Sequence, residues 1–135
     1  MKKLLAVTAV TLFSLCSFSA QAGQFGDFRE KILTVRTSMI DLMMDKEKRQ
    51  PAQWKAADEK SAAAKTALAA LKAPAGKEAQ FTEMKTLATA FLDTRDKELR
   101  EALVAGNEAE AKRLLTVVQK ERFGKITTLT EALDK

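Results

Sequence analysis

Apolar residues recur along most of the chain at spacings of three and four positions, which is the repeat of an amphipathic helix. The first such stripe consists of Phe25, Phe28, Ile32, Val35, Met39 and Leu42. A stripe of this kind lies along one face of a helix and must pack against other helices to leave water. The pattern therefore predicts a first helix over residues 25–45.

The same spacing continues after Pro51, where the inward positions are mostly small. Proline is favoured at the first helical position because its fixed φ suits the helix and its missing N–H loses no hydrogen bond. The segment Ala73-Pro74-Ala75-Gly76 stops the repeat. A second helix is predicted over residues 51–73, with its inward stripe at Trp54, Ala57, Ser61, Ala64, Leu68 and Leu71.

Two further helices are predicted over residues 77–105 and 108–133. Gly106 can adopt the positive φ that ends a helix, and Asn107 is a favoured N-cap with Glu110 three residues later, as in a capping box. The third stripe, broken at Arg95, is Phe81, Met84, Ala88, Phe91, Leu99 and Ala102. The fourth, broken at Arg122, is Ala111, Leu115, Val118, Ile126, Leu129 and Leu133, and Gly124 predicts a local irregularity there.

Four apolar stripes joined by short turns are typical of one architecture. Because each helix must return beside its predecessor, they favour an all-α, antiparallel up-down-up-down four-helix bundle. At about 1.5 Å per residue, such helices would make a rod on the order of 35–40 Å long.

The first 22 residues have the pattern of a cleaved signal peptide. Lys2 and Lys3 precede an apolar run over residues 4–18, and Ala20-Gln21-Ala22 is an A-x-A cleavage site. The run is shorter than the ~20 residues that span a bilayer comfortably. We expect residues 1–22 to be removed and residues 23–135 to form a soluble periplasmic domain with no stable membrane insertion.

The charge pattern bears on the partners. Removal of Lys2 and Lys3 lowers the formal net charge from +5 to about +3, and the remaining charges of both signs are spread along every predicted helix. A nucleic-acid-binding protein needs a concentrated basic stripe. The sequence therefore predicts no nucleic-acid partner.

The chain lacks most of the side chains that carry catalysis. It contains no His and no Tyr, and its single cysteine, Cys16, falls in the predicted signal peptide. General bases, thiolate nucleophiles and imidazole ligands are therefore missing, and we expect neither an enzyme nor a cofactor or metal. The acidic pairs at helical spacing are interpreted as surface groups beside Lys and Arg; they are Asp93 with Asp96 and Glu108 with Glu110.

Arg95 and Arg122 are the strongest functional signal, because each lies where the apolar repeat predicts a core residue. A permanently charged guanidinium needs a partner in such a position. Two interpretations stay open: each arginine extends its head to water or a carboxylate, or both line a pocket for a small anion. Arg36, on the first helix, is the third residue of this hypothetical ligand-binding site.

Residues 91–115 read F-L-D-T-R-D-K-E-L-R-E-A-L-V-A-G-N-E-A-E-A-K-R-L-L. In its spaced arginines, its Ala-Leu run and its G-N turn, this segment resembles the four-helix-bundle ligand-binding domain of methyl-accepting chemotaxis receptors. The first half of the domain matches only through its helical pattern and Arg36. The resemblance implies a periplasmic, non-enzymatic, sensor-like domain that binds small molecules, often through arginines, and pairs as a homodimer. We expect a sensor module without an output, since no second membrane segment, HAMP linker or signalling coil follows.

Two other classes remain as alternatives. The length, the export signal and residues 105–111 also resemble cytochrome b562 and cytochrome c′, but Lys125 and Ile126 stand where an axial His would be expected, which implies a haem-less relative. Leu115-Thr116-Val117-Val118-Gln119 matches the L-T-x-x-Q motif of periplasmic stress chaperones of the CpxP/Spy type. In that family the motif recurs, whereas here it occurs once.

Overall fold

A computed structural model describes residues 23–135, which form four helices joined by short turns. Helix α1 is Gln24–Met44 and helix α2 is Pro51–Ala70. Helix α3 covers residues 78–104, and helix α4 covers residues 108–134. No β-strand occurs in this described part of the chain.

The four helices pack as an antiparallel bundle. Helix α1 lies between α2 and α4, and α3 packs against α4. Helices α2 and α3 complete the ring, and their mutual contact is the least extensive of the four neighbouring pairs. The predicted all-α, up-down-up-down four-helix bundle is thereby confirmed.

Helix α2 ends at Ala70, three residues earlier than predicted. Leu71 turns into an extended conformation, with ψ 143°, and buries its side chain. The next residue is then held by Gln24, whose side-chain amide donates to the carbonyl of Lys72 and accepts from its N–H, each at 3.0 Å. The extended segment thus ties the end of α2 to the start of α1.

The turn between α3 and α4 follows its predicted chemistry in part. Gly106 has a φ of 72°, and the Asn107 side chain accepts a hydrogen bond of 3.3 Å from the Glu110 N–H. The Glu110 carboxylate, however, binds Arg113 at 2.7 and 2.9 Å, and the Asn107 N–H donates to the carbonyl of Ala102. Only the first half of the predicted capping box is therefore formed.

Arg49 joins the two turns at this end of the bundle. It follows a short 3₁₀ turn, Lys46–Lys48, and its guanidinium donates to the carbonyls of Leu42 at 2.7 Å and Met43 at 3.1 Å. Its Nη1 and Nη2 atoms also donate to the Glu108 carboxylate, at 2.7 and 3.2 Å. One side chain thus binds the carbonyls that the end of α1 leaves without helical partners, and it also binds the carboxylate of the first residue of α4.

Two apolar clusters, separated along every helix, form the core. Between them the inward positions carry the buried polar side chains of Ser61, Thr94, Arg95 and Gln119. We call this level of the bundle the polar layer. The larger cluster contains Phe25, Phe28, Ile32, Val35, Ala64, Leu68, Leu71, Met84, Ala88, Phe91, Leu92, Ile126 and Leu133. The smaller contains Met39, Leu42, Ala57, Leu99, Ala102, Leu103, Ala111, Leu114 and Leu115.

Each of the two C-terminal helices contains a π-helical segment. In α3 it is Arg95–Leu99, at the predicted interruption, and in α4 it is Leu114–Val118. The two segments contact each other across the bundle. The irregularity predicted at Gly124 is wrong, since that residue lies within the regular α-helical part of α4.

The π segment of α4 changes which residues face the core. A π turn holds about one residue more than an α turn, so the helix beyond it is rotated relative to the expected repeat. Gln119 and Thr130 are buried, whereas Val118 and Leu129, predicted to be core residues, are only half-buried. The predicted stripe of α4 is therefore wrong by one residue at these two positions, and its other members, Ala111, Leu115, Ile126 and Leu133, are buried as predicted.

Within residues 23–135, no helix is long and apolar enough to cross a membrane. The predicted signal peptide, residues 1–22, lies outside the described residues, so export to the periplasm stays a prediction.

Candidate functional site

The three arginines of the hypothetical site lie on three different helices at the level of the polar layer. Arg95 opens the π segment of α3 and is only 2% exposed. Arg122, on α4, and Arg36, on α1, are half-buried. The expectation of a core position is confirmed for Arg95 and is wrong for Arg122, which is only half-buried.

Arg95 is held by two carboxylates, both through one nitrogen. Its Nη1 donates to Asp58 at 2.9 Å and to Asp96 at 2.8 Å. Its Nε and Nη2 atoms are buried and have no hydrogen-bond partner among the described residues. These two nitrogens form one edge of the guanidinium, with two parallel N–H groups that match the two oxygens of a carboxylate.

Asp58 also binds a second arginine. Arg100 donates to the Asp58 carboxylate, and its guanidinium carbon lies 4.7 Å from the ring centre of Trp54. Burial alone would raise the pKa of Asp58, but the hydrogen bonds and charges of Arg100 and Arg95 lower it below its ordinary value. Asp58 therefore stays ionised and links α2 to two positions on α3.

Asp96, on α3, also links the two helices, through α2 residues that follow Asp58. It accepts hydrogen bonds from Lys65 and, at 2.8 Å, from Ser61. Burial opposes ionisation of Asp96, yet the hydrogen bonds from Lys65, Arg95 and Ser61 lower its pKa. This acid was interpreted from the sequence as a surface group, and the structure places it at the edge of the buried layer.

Arg122 has a different kind of environment. Its Nη1 donates to Thr94 Oγ1 at 2.7 Å, and to the Ala90 carbonyl and Gln119 Oε1, each at 3.3 Å. Gln119, 1% exposed, in turn donates to the carbonyl of Phe91 at 2.7 Å. Within residues 23–135 no carboxylate forms an ion pair with Arg122, so neutral acceptors alone surround its charge.

Arg36 lies against an aromatic ring. Its guanidinium carbon is 5.2 Å from the ring centre of Phe123, which is a cation–π contact between α1 and α4. Its buried Nε atom has no hydrogen-bond partner in the described part of the chain. Arg36 is thus a second guanidinium with spare hydrogen-bonding capacity.

Positively charged side chains outnumber the carboxylates bound to them in and around the polar layer. The basic groups are Arg95 within the layer and Arg36, Lys65, Arg100 and Arg122 beside it, and the bound carboxylates are Asp58 and Asp96. The three arginines predicted from the sequence are thus brought to one level of the bundle, and none of the contacts described above joins one of them directly to another.

A groove opens between α2 and α3 beside this layer. It has a volume of about 330 Å³ and includes Lys65, the lysine that binds Asp96. The buried side chains of Leu68 and Leu92 lie at its apolar side, and Lys85 and Asp93 are charged residues along it. The groove follows the pair of helices that contact each other least.

Comparisons with protein-family models, with curated proteins and with solved structures find no match for this chain. The resemblance of residues 91–115 to chemoreceptor ligand-binding domains therefore stays a prediction, as do the haem-less cytochrome and stress-chaperone alternatives. The L-T-x-x-Q motif at residues 115–119 lies across the π segment of α4, with its glutamine buried.

Several members of the layer were missed from the sequence. Asp58, Lys65 and Arg100 belong to ordinary charged helical faces, and nothing in their spacing marks them. Gln119 was missed because the π segment turns it inward. Among the described residues no group of three or more Asp, Glu, His or Cys side chains is placed to hold a metal ion.

Proposed function

We propose that this protein is an exported, periplasmic, non-enzymatic binding protein for a small anionic molecule, comparable to the sensor domain of a receptor. The observation that carries the proposal is the free edge of Arg95. A guanidinium that is 2% exposed keeps two donors, Nε and Nη2, without a partner among the described residues. An anion with two oxygens would satisfy both donors at once.

The energetic reason is the cost of an unpaired donor. A buried donor without an acceptor costs roughly 1–3 kcal/mol, whereas a hydrogen bond to a charged group contributes roughly 1.5–3 kcal/mol. Arg95 therefore stands to gain from an added acceptor more than an exposed lysine would. The other basic groups of the layer, including Arg122 with only neutral acceptors, favour a negative charge in the same region.

Asp58 and Asp96 support this assignment because both approach the same nitrogen. Their hydrogen bonds to Nη1 hold the guanidinium in place while leaving its opposite edge unused. Two carboxylates whose only role was to neutralise Arg95 would gain more by spreading over its five N–H groups. A positioned guanidinium with a free edge is the arrangement expected of an anion receptor.

A groove beside the polar layer, between α2 and α3, could receive the body of such an anion: Lys65, which binds Asp96, lines this groove, although Arg95 does not. These helices contact each other least, and the groove between them already measures about 330 Å³. That volume suits a small ligand, and its apolar side at Leu68 and Leu92 suits a short hydrocarbon body.

The test is calorimetric titration of the chain from residue 23 onward against formate, acetate, succinate, benzoate and inorganic phosphate, with a quaternary amine as the cationic control. We expect at least one anion to bind. Replacement of Arg95 by Met or of Arg122 by Ala should weaken binding about tenfold or more. Circular dichroism should show the same helix content, because both substitutions remove a charge from a helix that packing maintains.

The matched control is Arg113→Ala, which removes one positive charge from an exposed ion pair with Glu110. It should leave the dissociation constant within about twofold of the parent value. If Arg95→Met and Arg113→Ala weakened anion binding equally, the binding would be nonspecific charge attraction, and the proposal would be contradicted.

Export is tested separately. The intact mass of the protein in the periplasmic fraction should correspond to a chain that begins at Gly23.

A further inference from the structure

The guanidinium of Arg95 already contacts two negative charges. Asp58 and Asp96 accept hydrogen bonds of 2.9 and 2.8 Å from its Nη1 atom. Burial opposes the ionisation of both carboxyls, but hydrogen bonds from neighbouring basic side chains lower their pKa values, so both stay charged. An acceptor on the Nε and Nη2 atoms would be the third on one guanidinium. Arg95 attracts each negative charge of such a ligand, and the two carboxylates repel it.

The ion pairs around Arg95 also set a charge balance. Within the described residues they join three basic side chains, Arg95, Arg100 and Lys65, to two carboxylates, Asp58 and Asp96. We call these five side chains the ion-pair network. It is left with one positive charge more than it has negative charges. A ligand with one negative charge completes the balance, whereas a second negative charge on the ligand meets no unpaired cation of the network.

Burial of Arg95 adds to this preference. The side chain is 2% exposed, so a ligand group that pairs with its free edge must lose most of its water. The cost of taking an ion out of water rises steeply with its charge. Arg36 and Arg122 also attract anions, but neither forms an ion pair with a member of the network, and each keeps part of its surface in water. Water screens their attraction for a second charge.

We infer that the anion bound by this protein is a monocarboxylate, and that Asp58 and Asp96 select it against dianions of similar size. The inference rests on the proposed function, because it requires the free edge of Arg95 to bind an anion at all. A planar carboxylate matches the two parallel N–H groups of that edge in shape. Its single charge matches the charge that the ion-pair network leaves uncompensated.

Calorimetric titration of the chain from residue 23 onward with small acids of matched size tests the inference. In a mildly alkaline buffer propionate and monomethyl malonate carry one negative charge, and malonate carries two. We expect each monoanion to bind about tenfold or more tightly than malonate. Arg95→Met should weaken the binding of both monoanions about tenfold or more, which places them at the free edge.

Asp58→Asn tests the selecting role of the carboxylates. The amide keeps the oxygen that accepts from Arg95 but loses the charge, so malonate should gain about threefold or more in affinity relative to propionate. Lys65→Met removes a positive charge from the network, so malonate should lose about threefold or more relative to propionate. Glu59→Gln is the control, because it removes a negative charge from the exposed neighbour of Asp58 and should leave this ratio unchanged.

Failure of the inference and failure of the proposed function give different results. If none of the three acids binds, or if Arg95→Met binds them as the parent does, the proposed function fails and the inference fails with it. If malonate binds the parent as tightly as propionate, or if a folded Asp58→Asn variant keeps the parent ratio, anion binding stands and the selection is overturned. If Asp58→Asn does not fold, Lys65→Met decides, because Lys65 is exposed.

Discussion

At the scale of single residues, Arg49 shows how one side chain replaces a helix cap. Its side chain is 12% exposed and binds the last carbonyls of α1 together with the carboxylate at the start of α4. The capping role of Arg49 is not evident from the sequence, because Arg49 follows a run of charged residues that is typical of a solvent-exposed turn. Its contacts depend on how the two turns meet, which is a tertiary property.

Arg49→Ala should therefore destabilise the fold. Loss of the charged hydrogen bonds to the Leu42 and Met43 carbonyls should lower the free energy of unfolding by about 2 kcal/mol. In a domain of this size that corresponds to a fall of roughly 5–10 °C in melting temperature, measured by circular dichroism. Lys46→Ala is the control, because Lys46 also lies near Glu108, at 3.7 Å, but is 73% exposed. Equal losses in both variants would contradict the capping role.

At the scale of the helix, the sequence predicts the regular three-four spacing of buried residues but does not predict the π segments that interrupt it. Every member of the α1 stripe is buried as predicted, because 21 continuous α-helical residues keep the three-four spacing in register. In α4 the π segment ends at Val118, and Gln119 is buried in place of Val118, whereas Ile126 and Leu133 further along are buried as predicted. No local sequence pattern predicts an extra residue in a helical turn, so the burial of Gln119 in the polar layer could not be predicted from periodicity.

The π segment of α3 yields a deletion test. Lys97 is exposed within Arg95–Leu99, and removing it converts the π turn to an α turn while the helix on either side keeps its register. We expect the deletion variant to retain its helix content, with a melting temperature within a few degrees of the parent. Anion binding should be lost, because Arg95 and Asp96 no longer point as they do now.

Deletion of Thr86, an exposed residue in the regular part of α3, is the control. It rotates one part of the helix by about 100° relative to the next, which turns core side chains towards water. This variant should be destabilised by several kcal/mol in a urea titration. Equal losses of stability in the two deletion variants would contradict the interpretation that the π segment of α3 holds one residue more than an α-helical turn.

At the scale of the whole molecule, the pH dependence of stability follows from which groups titrate. The pKa values of Asp58 and Asp96 are lowered, as described above, and hydrogen bonds from Arg49 and Arg113 lower those of Glu108 and Glu110. The chain contains no histidine. No side chain with an ordinary pKa therefore titrates between about pH 5 and 8.

The free energy of unfolding should accordingly be constant from about pH 5 to 8 and fall in acid. Each lowered pKa contributes stability that is complete above the unfolded-state pKa of about 4 and is lost as the pH falls through the folded-state value. Urea titrations at stepped pH measure this. Asp96→Asn should show a smaller fall in acid than the parent, and a stability step near pH 6–7 would contradict the assignment.

The stacking of Arg100 on Trp54 gives the protein a built-in optical reporter. Trp54 is the only tryptophan, and the chain contains no tyrosine, so near-ultraviolet emission comes from a single indole. That indole contacts Arg100, which binds Asp58, which in turn binds Arg95. Fluorescence of the unlabelled protein should therefore register any rearrangement around Arg95, so that occupancy of the polar layer can be followed in real time without an engineered dye.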